Sequence, residues 1–503
     1  MNTKEKQKVV VIGNGMVGHQ FIEYLLASDN ADDYEITTFS EEPRLAYDRV
    51  HLSTYFSGST AADLALAERE YYRNKGVNFI LDDKVVDINK SEKWIITQSG
   101  RLKAYDKLVL ATGSYPFVPP VPGNDQEHCH VYRTIEDLQK IKVSGGQSKV
   151  GVVLGGGLLG LEAAYAIKGM GLETHVVEFA PKLMSVQLDD GGSKLLRDKI
   201  ERLGVNVHTQ KSTLEISDGE RYRYRLNFTD GSHLETDMII FSAGIRPQDE
   251  LAKKCEISLG HRGGIAIDDH CQTSEKNIYA IGECAVWEGR IFGLVAPGYQ
   301  MAKVAVSHIT GGQAKFKGSD MSTKLKLLGV DVASIGDSIA RTPGAKTYSY
   351  SDISGDIYKS LVVSEDGKTL LGAVLVGDVG DYENFLKIVL NRNELPEDPQ
   401  EMILPGTKSD GTFVDDFADT DTICYCNDVC KLVITSAVRN GATTLAQIKT
   451  QTLASTGCGG CTDLVQQLLD SELNKLGAVV IKDIGQLSPD SLQELVDDFA
   501  DSF

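Results

Sequence analysis

Val9-Val10-Val11-Ile12-Gly13-Asn14-Gly15-Met16-Val17-Gly18 carries four apolar residues straight into a glycine turn and then into a helical pattern. It reads as strand, tight turn and helix. Gly13, Gly15 and Gly18 have the spacing a dinucleotide pyrophosphate requires: a sharp turn, close backbone approach, and close packing of helix on strand, with the phosphates at the helix N-terminus. A lone match of this kind is weak evidence. Here the turn follows an apolar strand, and a second apolar run, Tyr34 to Phe39, leads to Glu41-Glu42, where a ribose-binding acid belongs. Glu41 is the preferred acid and Glu42 the alternative.

The device recurs. Val152-Val153-Leu154-Gly155-Gly156-Gly157-Leu158-Leu159-Gly160-Leu161-Glu162 repeats strand, turn and helix, and Val176-Val177-Glu178 supplies an acid at the end of the next strand. Two units imply two dinucleotides. A flavin at the first and a nicotinamide at the second is the economical reading, because hydride transfer needs a donor and an acceptor held together. NADH is expected over NADPH: Glu178 would accept from the ribose 2′-hydroxyl, Phe179-Ala180-Pro181 offers no arginine for a 2′-phosphate, and Lys182 is the nearest cation.

At 503 residues the chain has length for three or four domains, and its 42% hydrophobic content is that of a soluble protein. No apolar run reaches the ~18 residues of a membrane span. The polar start, residues 1–8, leaves no room for a signal peptide's apolar core, so a cytoplasmic location is expected. A formal charge of -20 argues against a nucleic-acid partner.

The segment Pro43 to Ser53 is too irregular for a regular element and is expected beside the flavin ring, with Arg49 as its candidate cofactor-binding residue. It holds no cysteine, which disfavours electron transfer to disulfides. Strands are expected around Trp94 to Thr97 and Lys107 to Leu110, the latter ending in Ala111-Thr112-Gly113. The strand Met238 to Phe241 exits in the same way through Ala243-Gly244. Asn277 to Glu283 then reads as a return to the flavin domain, a short strand ending in Gly282 and an acid, Glu283, that could accept a ribityl hydroxyl. Later strands, Asp331 to Ile335, Tyr358 to Val363 and Leu370 to Val376, with Asp366-Gly367 as a hairpin turn and a helix from Tyr382 to Leu390, suggest a small α+β cap with a packing or homodimer role.

Of nine cysteines, Cys129, Cys255, Cys271 and Cys284 are scattered, and five crowd into 424 to 461. Cys424 and Cys426 form a C-x-C; Cys458 and Cys461 form a C-x-x-C, 31 residues on. Four thiolates from two short loops suit a zinc ion or an iron–sulfur cluster. Upstream units that handle electrons in pairs favour [2Fe-2S], with Cys430 surplus.

Tyr47-Asp48-Arg49-Val50-His51-Leu52-Ser53, the stretch Met321 to Val332, and the Cys424 to Cys461 quartet together resemble the reductase half of the NADH-dependent assimilatory nitrite reductase large subunit. The chain is also similar to the flavoprotein electron-transfer subunit of assimilatory nitrate reductase. The resemblance implies an α/β fold: two glutathione-reductase-like dinucleotide-binding domains, a small α+β cap, and a small helical ferredoxin module like that associated with bacterioferritin. It implies FAD at Gly13, Gly15, Gly18, Glu41, Thr112, Gly113, Gly282 and Glu283, and NADH at Gly155, Gly157, Gly160 and Glu178. Gly244 joins the cofactor-binding set, and Glu162 is the candidate catalytic residue. Related ferredoxin and rubredoxin reductases carry a lysine after the Leu-Ser of the flavin loop. This chain has Thr54, so an ion pair from that lysine to Glu162 is absent.

The expected domains are 1–123 with 246–318 for FAD, 124–245 for NADH, 319–395 for the cap, 396–421 as linker, 422–475 for the cluster, and 476–503 as an acidic tail. The expected partner is a nitrite or nitrate reductase catalytic subunit, a sirohaem or molybdopterin protein, with no membrane and no nucleic acid. The competing readings are an NADH-dependent ferredoxin or rubredoxin reductase, and a redox-sensing or zinc-stabilised interaction protein.

Overall fold

Val9, Val10 and Val11 are fully buried in the central strand, Gln7–Ile12, of a five-stranded parallel sheet. The computed structural model describes residues 5–404, 414, 417–425, 427–456 and 461–477. Cys426, Cys458 and residues 478–503 of the tail lie outside them. The chain divides into two compact units, Met1–Lys408 and Ser409–Phe503.

In the first sheet the strand order is Ile278–Ala280, Lys107–Leu110, Gln7–Ile12, Tyr34–Phe39, Asn78–Ile80. Val9 to Ile12 and Leu108 to Leu110 read as unbroken apolar runs because a parallel sheet is covered on both faces. Helix Met16–Leu26 packs on helix Val295–Ile309, with Phe21, Ile22, Leu25, Met301, Ala302 and Ala305 in one core with the sheet. Ile278–Ala280 returns from far along the chain to pair with Lys107–Leu110.

A second five-stranded parallel sheet repeats the plan, in the order Val205–His208, Glu173–Val177, Val150–Leu154, Met238–Phe241, Cys129–Val131. Helix Ile135–Gly145 starts on a capping box in which Thr134 and Asp137 satisfy each other's backbone N–H groups. The exits from the two sheets meet: Ser114–Pro116 pairs antiparallel with Ile245–Pro247.

A third sheet is antiparallel, in the order Thr323–Leu327, Val330–Gly336, Leu370–Val376, Ile357–Val363, Lys346–Asp352, and helix Tyr382–Asn391 packs against it. Three of its strands and the Asp366-Gly367 turn are those the sequence marks. Two strands are additions. Thr323–Leu327 turns back through Leu328 and Gly329, at φ +49° and +80°, and leucine at positive φ is not a turn signal. Lys346–Asp352 is a polar outer strand with no buried residue. Buried Lys359 is held by Asp378 at 2.8 Å and Asp381 at 2.5 Å.

The second unit holds a short ribbon, Thr422–Cys424 with Val429–Cys430, and helices Lys431–Arg439, Leu445–Thr452 and Thr462–Lys475. Ile434, Val438, Ile448, Val465, Leu468 and Leu469 are among its buried residues. Among the described residues no helix is long and apolar enough to cross a membrane.

Candidate functional site

The two glycine turns divide their labour identically. Gly13 adopts φ +106°, and a methyl group there would strike the Ala111 carbonyl; one at Gly18 would strike the carbonyl of Gly13. Gly15 has nothing within 4 Å of its would-be side chain. The outer glycines are required by the backbone itself, while the middle one opens onto free space at a helix N-terminus without a side-chain cap. In the second turn Gly155, at φ +124°, faces Ser242, Gly160 faces Gly155, and Gly157 is open in the same way. Each turn thus presents bare N–H groups and helix-dipole charge to an anion.

The acids differ in their surroundings. Glu41 lines a cleft with Gly13, Ser40, Lys84, Thr112 and Gln248, accepting from Gln248 Nε2 at 3.0 Å and pairing with Lys84 at 3.0 Å. Glu42 is engaged within the loop, by Arg49 and by the Tyr47 hydroxyl at 2.7 Å. Glu178 accepts from the backbone N–H groups of Gly156 at 2.5 Å and Ala180 at 2.7 Å.

Thr112 donates to the Gln248 carbonyl at 2.6 Å. Gly113, Gly244 and Gly282 adopt φ +71°, +102° and +79°. Gly282 packs close to Val17 on the first-turn helix. Glu283 accepts from Arg133 at 2.6 Å and from Ser114 at 2.7 Å. Arg49 donates to the Arg133 carbonyl at 3.1 Å and lies 4.8 Å from the Tyr47 ring centroid.

Arg133 is a site residue that sequence reasoning missed. Its Nε is buried without a hydrogen-bond partner in the structure, so a donor is left over beside Glu283. Its signal is an arginine directly before the capping-box threonine, which sets a cation at a helix start. Asn14 is another. Between the glycines, its Oδ1 accepts from Ala46 N at 2.9 Å and its Nδ2 donates to the Tyr72 hydroxyl at 3.0 Å, pinning the Pro43 to Ser53 segment onto the turn.

Glu162 lies two residues beyond Gly160 on helix Leu158–Gly169. Burial lifts its carboxyl to about 7, with His51 acting in the opposite sense. His51 is raised, first by its hydrogen bond to Asp48, 2.7 Å away, with Glu162 contributing. Thr54 donates to the His51 carbonyl at 2.8 Å.

In the second unit Cys424 and Cys461 come together although they lie at opposite ends of the motif. Their thiols are hydrogen-bonded, and that bond with burial pushes the Cys461 thiol well up. Neutral thiols in contact are what a thiolate-binding metal would deprotonate. Cys430 sits at the N-terminus of helix Lys431–Arg439. Burial pushes the half-buried Cys129 thiol up to about 11 and raises those of the buried Cys271 and Cys284, which disfavours the reactive thiolate at all three.

Residues 7–308 match the model of the pyridine nucleotide-disulphide oxidoreductases. Residues 322–393 match the rubredoxin NAD+ reductase C-terminal domain, and residues 422–471 the BFD-like [2Fe-2S] binding domain. The chain is 54% identical to the nitrite reductase (NADH) large subunit of Escherichia coli (strain K12), over 97% of this chain and 58% of that one. It is 36% identical to the assimilatory nitrate reductase electron transfer subunit of Bacillus subtilis (strain 168), over 92% of this chain and 60% of the other. It therefore spans little more than half the length of these relatives. NADH:rubredoxin oxidoreductase from Clostridium acetobutylicum shares the fold, with 26% identity, a TM-score of 0.64, and coverage of 77% of this chain and 96% of that one.

Proposed function

The chain belongs to the pyridine nucleotide-disulphide oxidoreductase family, and we propose that it is the NADH-oxidising, electron-delivering part of an assimilatory nitrite or nitrate reductase. The observation that carries this reading is the pair of open glycine turns, Gly15 and Gly157, in a chain that also brings Cys424 and Cys461 together.

The residues fit the groups the family implies. Gly13, Gly15, Gly18, Glu41, Arg49, Thr112, Gly113, Gly282 and Glu283 would hold FAD. Gly155, Gly157, Gly160, Glu178 and Gly244 would hold NADH. Cys424, Cys426, Cys458 and Cys461 would hold [2Fe-2S]. When bound, the flavin accepts a hydride from the nicotinamide, and the cluster carries single electrons onward. Glu178, fixed by two backbone N–H groups, presents its carboxylate to a ribose. Arg133 and Glu283 offer a donor and an acceptor beside the first turn, and Asn14 keeps the loop over that turn ordered.

The acceptor is a catalytic component that reduces nitrite or nitrate, a sirohaem or molybdopterin protein or domain. A reducing, cytoplasmic setting suits the free thiols of the described cysteines. The match over 322–393 favours, as a second reading, electron delivery to a small redox protein of the rubredoxin kind.

The test is the purified chain mixed with NADH. Flavin bands with a visible iron–sulfur shoulder that bleach together, and reduction of ferricyanide without ammonia from nitrite, are the expected results. Substantial NADH-dependent ammonia formation by this chain alone would overturn the assignment.

A further inference from the structure

Asn14 stands between the first two glycines of the first turn, and its side chain is the inner end of a buried hydrogen-bonded relay. Its Oδ1 accepts the Ala46 N–H at 2.9 Å, while its Nδ2 donates to the Tyr72 hydroxyl at 3.0 Å and reaches Thr38 Oγ1 at 3.4 Å. Tyr72, on helix Arg69–Asn74, is fully buried, and its hydroxyl lies 2.9 Å from Nδ1 of buried His19 on helix Met16–Leu26. Beyond His19 stands Glu23. Its Oε2 accepts from the Tyr71 hydroxyl at 2.6 Å, and its Oε1 is buried with no hydrogen bond, 4.0 Å from the same Nδ1 of His19.

One end of the relay fixes its direction. A backbone N–H can only donate, so Ala46 sets the Asn14 amide with its oxygen toward the loop and its NH2 toward Tyr72. The Tyr72 oxygen then accepts from Asn14, and its proton goes to His19 Nδ1. His19 is thereby a neutral ring with its hydrogen on Nε2. Burial holds its pKa below the ordinary 6.5, with Glu23 acting in the opposite sense. The titratable groups around the ring are Glu23 on its own helix, Tyr72 on helix Arg69–Asn74, and Tyr71 through Glu23. A proton on Nδ1 turns that atom into a donor, takes away the acceptor of the Tyr72 hydroxyl, and gives the bare Glu23 oxygen a partner.

We propose that Tyr72 and His19 are positioning residues that lock the Asn14 amide in one orientation and so seat the flavin loop on the first turn. The proposal rests on the reading of that turn as the FAD site. Ala46 and Arg49 are the points where the loop is tied down, Ala46 to Asn14 and the Arg49 N–H to Met16 Sδ at 3.4 Å. Without the Tyr72 oxygen the Asn14 amide keeps only its long bond to Thr38. It can then turn over and set its NH2 against the Ala46 N–H, leaving a donor facing a donor. FAD that needs the seated loop binds more weakly in proportion to the fraction of time the loop is released.

The experiment is release of FAD from the purified flavin-loaded chain on dilution, read by recovery of free-flavin fluorescence between about pH 5 and 8. In the unmodified chain the dissociation constant is expected to rise several-fold as pH falls below the ordinary histidine value of 6.5. Tyr72→Phe, which keeps the ring, should raise it about tenfold at pH 8, the size of one lost buried hydrogen bond, and should flatten the acid step. His19→Leu should do the same. His19→Asn sets an amide oxygen where Nδ1 stood, so it should restore the affinity at pH 8 and, being uncharged, show no step. Circular dichroism and melting temperature check the fold of each variant, and the two histidine variants decide the matter if Tyr72→Phe fails to fold. Residues that only fill the core would leave His19→Asn binding FAD no better than His19→Leu, or the acid step undiminished in both, and either result overturns the proposal. Failure of the unmodified chain to hold FAD at all rejects the first-turn site itself, and this proposal with it.

Discussion

Glu178 closes back over its own turn, its carboxylate accepting the N–H of Gly156 at 2.5 Å. That carboxylate is fixed before any ligand arrives, and Lys182, the nearest cation in sequence, is drawn to Asp190 at 2.7 Å. A 2′-phosphate would meet a held negative charge with no counter-ion. NADH is therefore expected to be preferred by at least tenfold in kcat/KM. Glu178→Ala should erase most of that preference, a change on the order of 1–3 kcal/mol for a lost charged hydrogen bond. Equal use of both cofactors by the unmodified chain would reject this role for Glu178.

The glycine turns predict opposite outcomes for neighbouring substitutions. Gly157→Ala meets nothing within 4 Å, so its melting temperature should stay within a few degrees while KM for NADH rises. Gly155→Ala forces a side chain onto φ +124° and into Ser242. It should lower stability by several kcal/mol and melt early even without cofactor. Similar melting curves for the two variants would show that the open and crowded glycines have been misjudged.

Cluster loading separates the cysteines. Serine at Cys424, Cys426, Cys458 or Cys461 should each remove most of the iron and acid-labile sulfide, whereas Cys430→Ser should retain them. Iron and sulfide analysis of the purified variants decides. Full loading of Cys461→Ser would break the ligand set, since Cys461 is in thiol contact with Cys424.

Removal of residues 422–503 should spare NADH-dependent ferricyanide reduction, which the two dinucleotide turns suffice to support. Transfer to the catalytic partner should be lost. Continued transfer by the shortened chain would show that the flavin reaches the partner directly.

Glu162 also sets a pH dependence of stability. Burial pushes its folded carboxyl up to about 7 from an ordinary 4.5, so between those values the folded state holds the proton and the unfolded state has released it. Stability from this group declines as pH rises through that window and is lowest above it. Glu162→Gln should thus stabilise the chain at pH 8 by roughly 1–2 kcal/mol, discounted for partial exposure, and change little at pH 4. Urea melts at the two pH values measure the difference. A variant equally destabilised at both would mean that Glu162 contributes packing and little else.

What the sequence by itself determined is local. Strand, glycine turn and helix lie within ten consecutive residues, and their spacing is set by backbone sterics that no distant contact can replace. The hairpin at Asp366-Gly367 and the buried parallel strands were legible for the same reason. Tertiary structure alone decided the pairs that span the chain: Arg133 with Glu283, and Asn14 with Ala46 and Tyr72. It also gave two adjacent acids different surroundings, Glu41 lining a cleft and Glu42 paired with Arg49. Such choices turn on which helix packs on which loop, and packing is a property of burial across the whole core that a local run of residues does not contain.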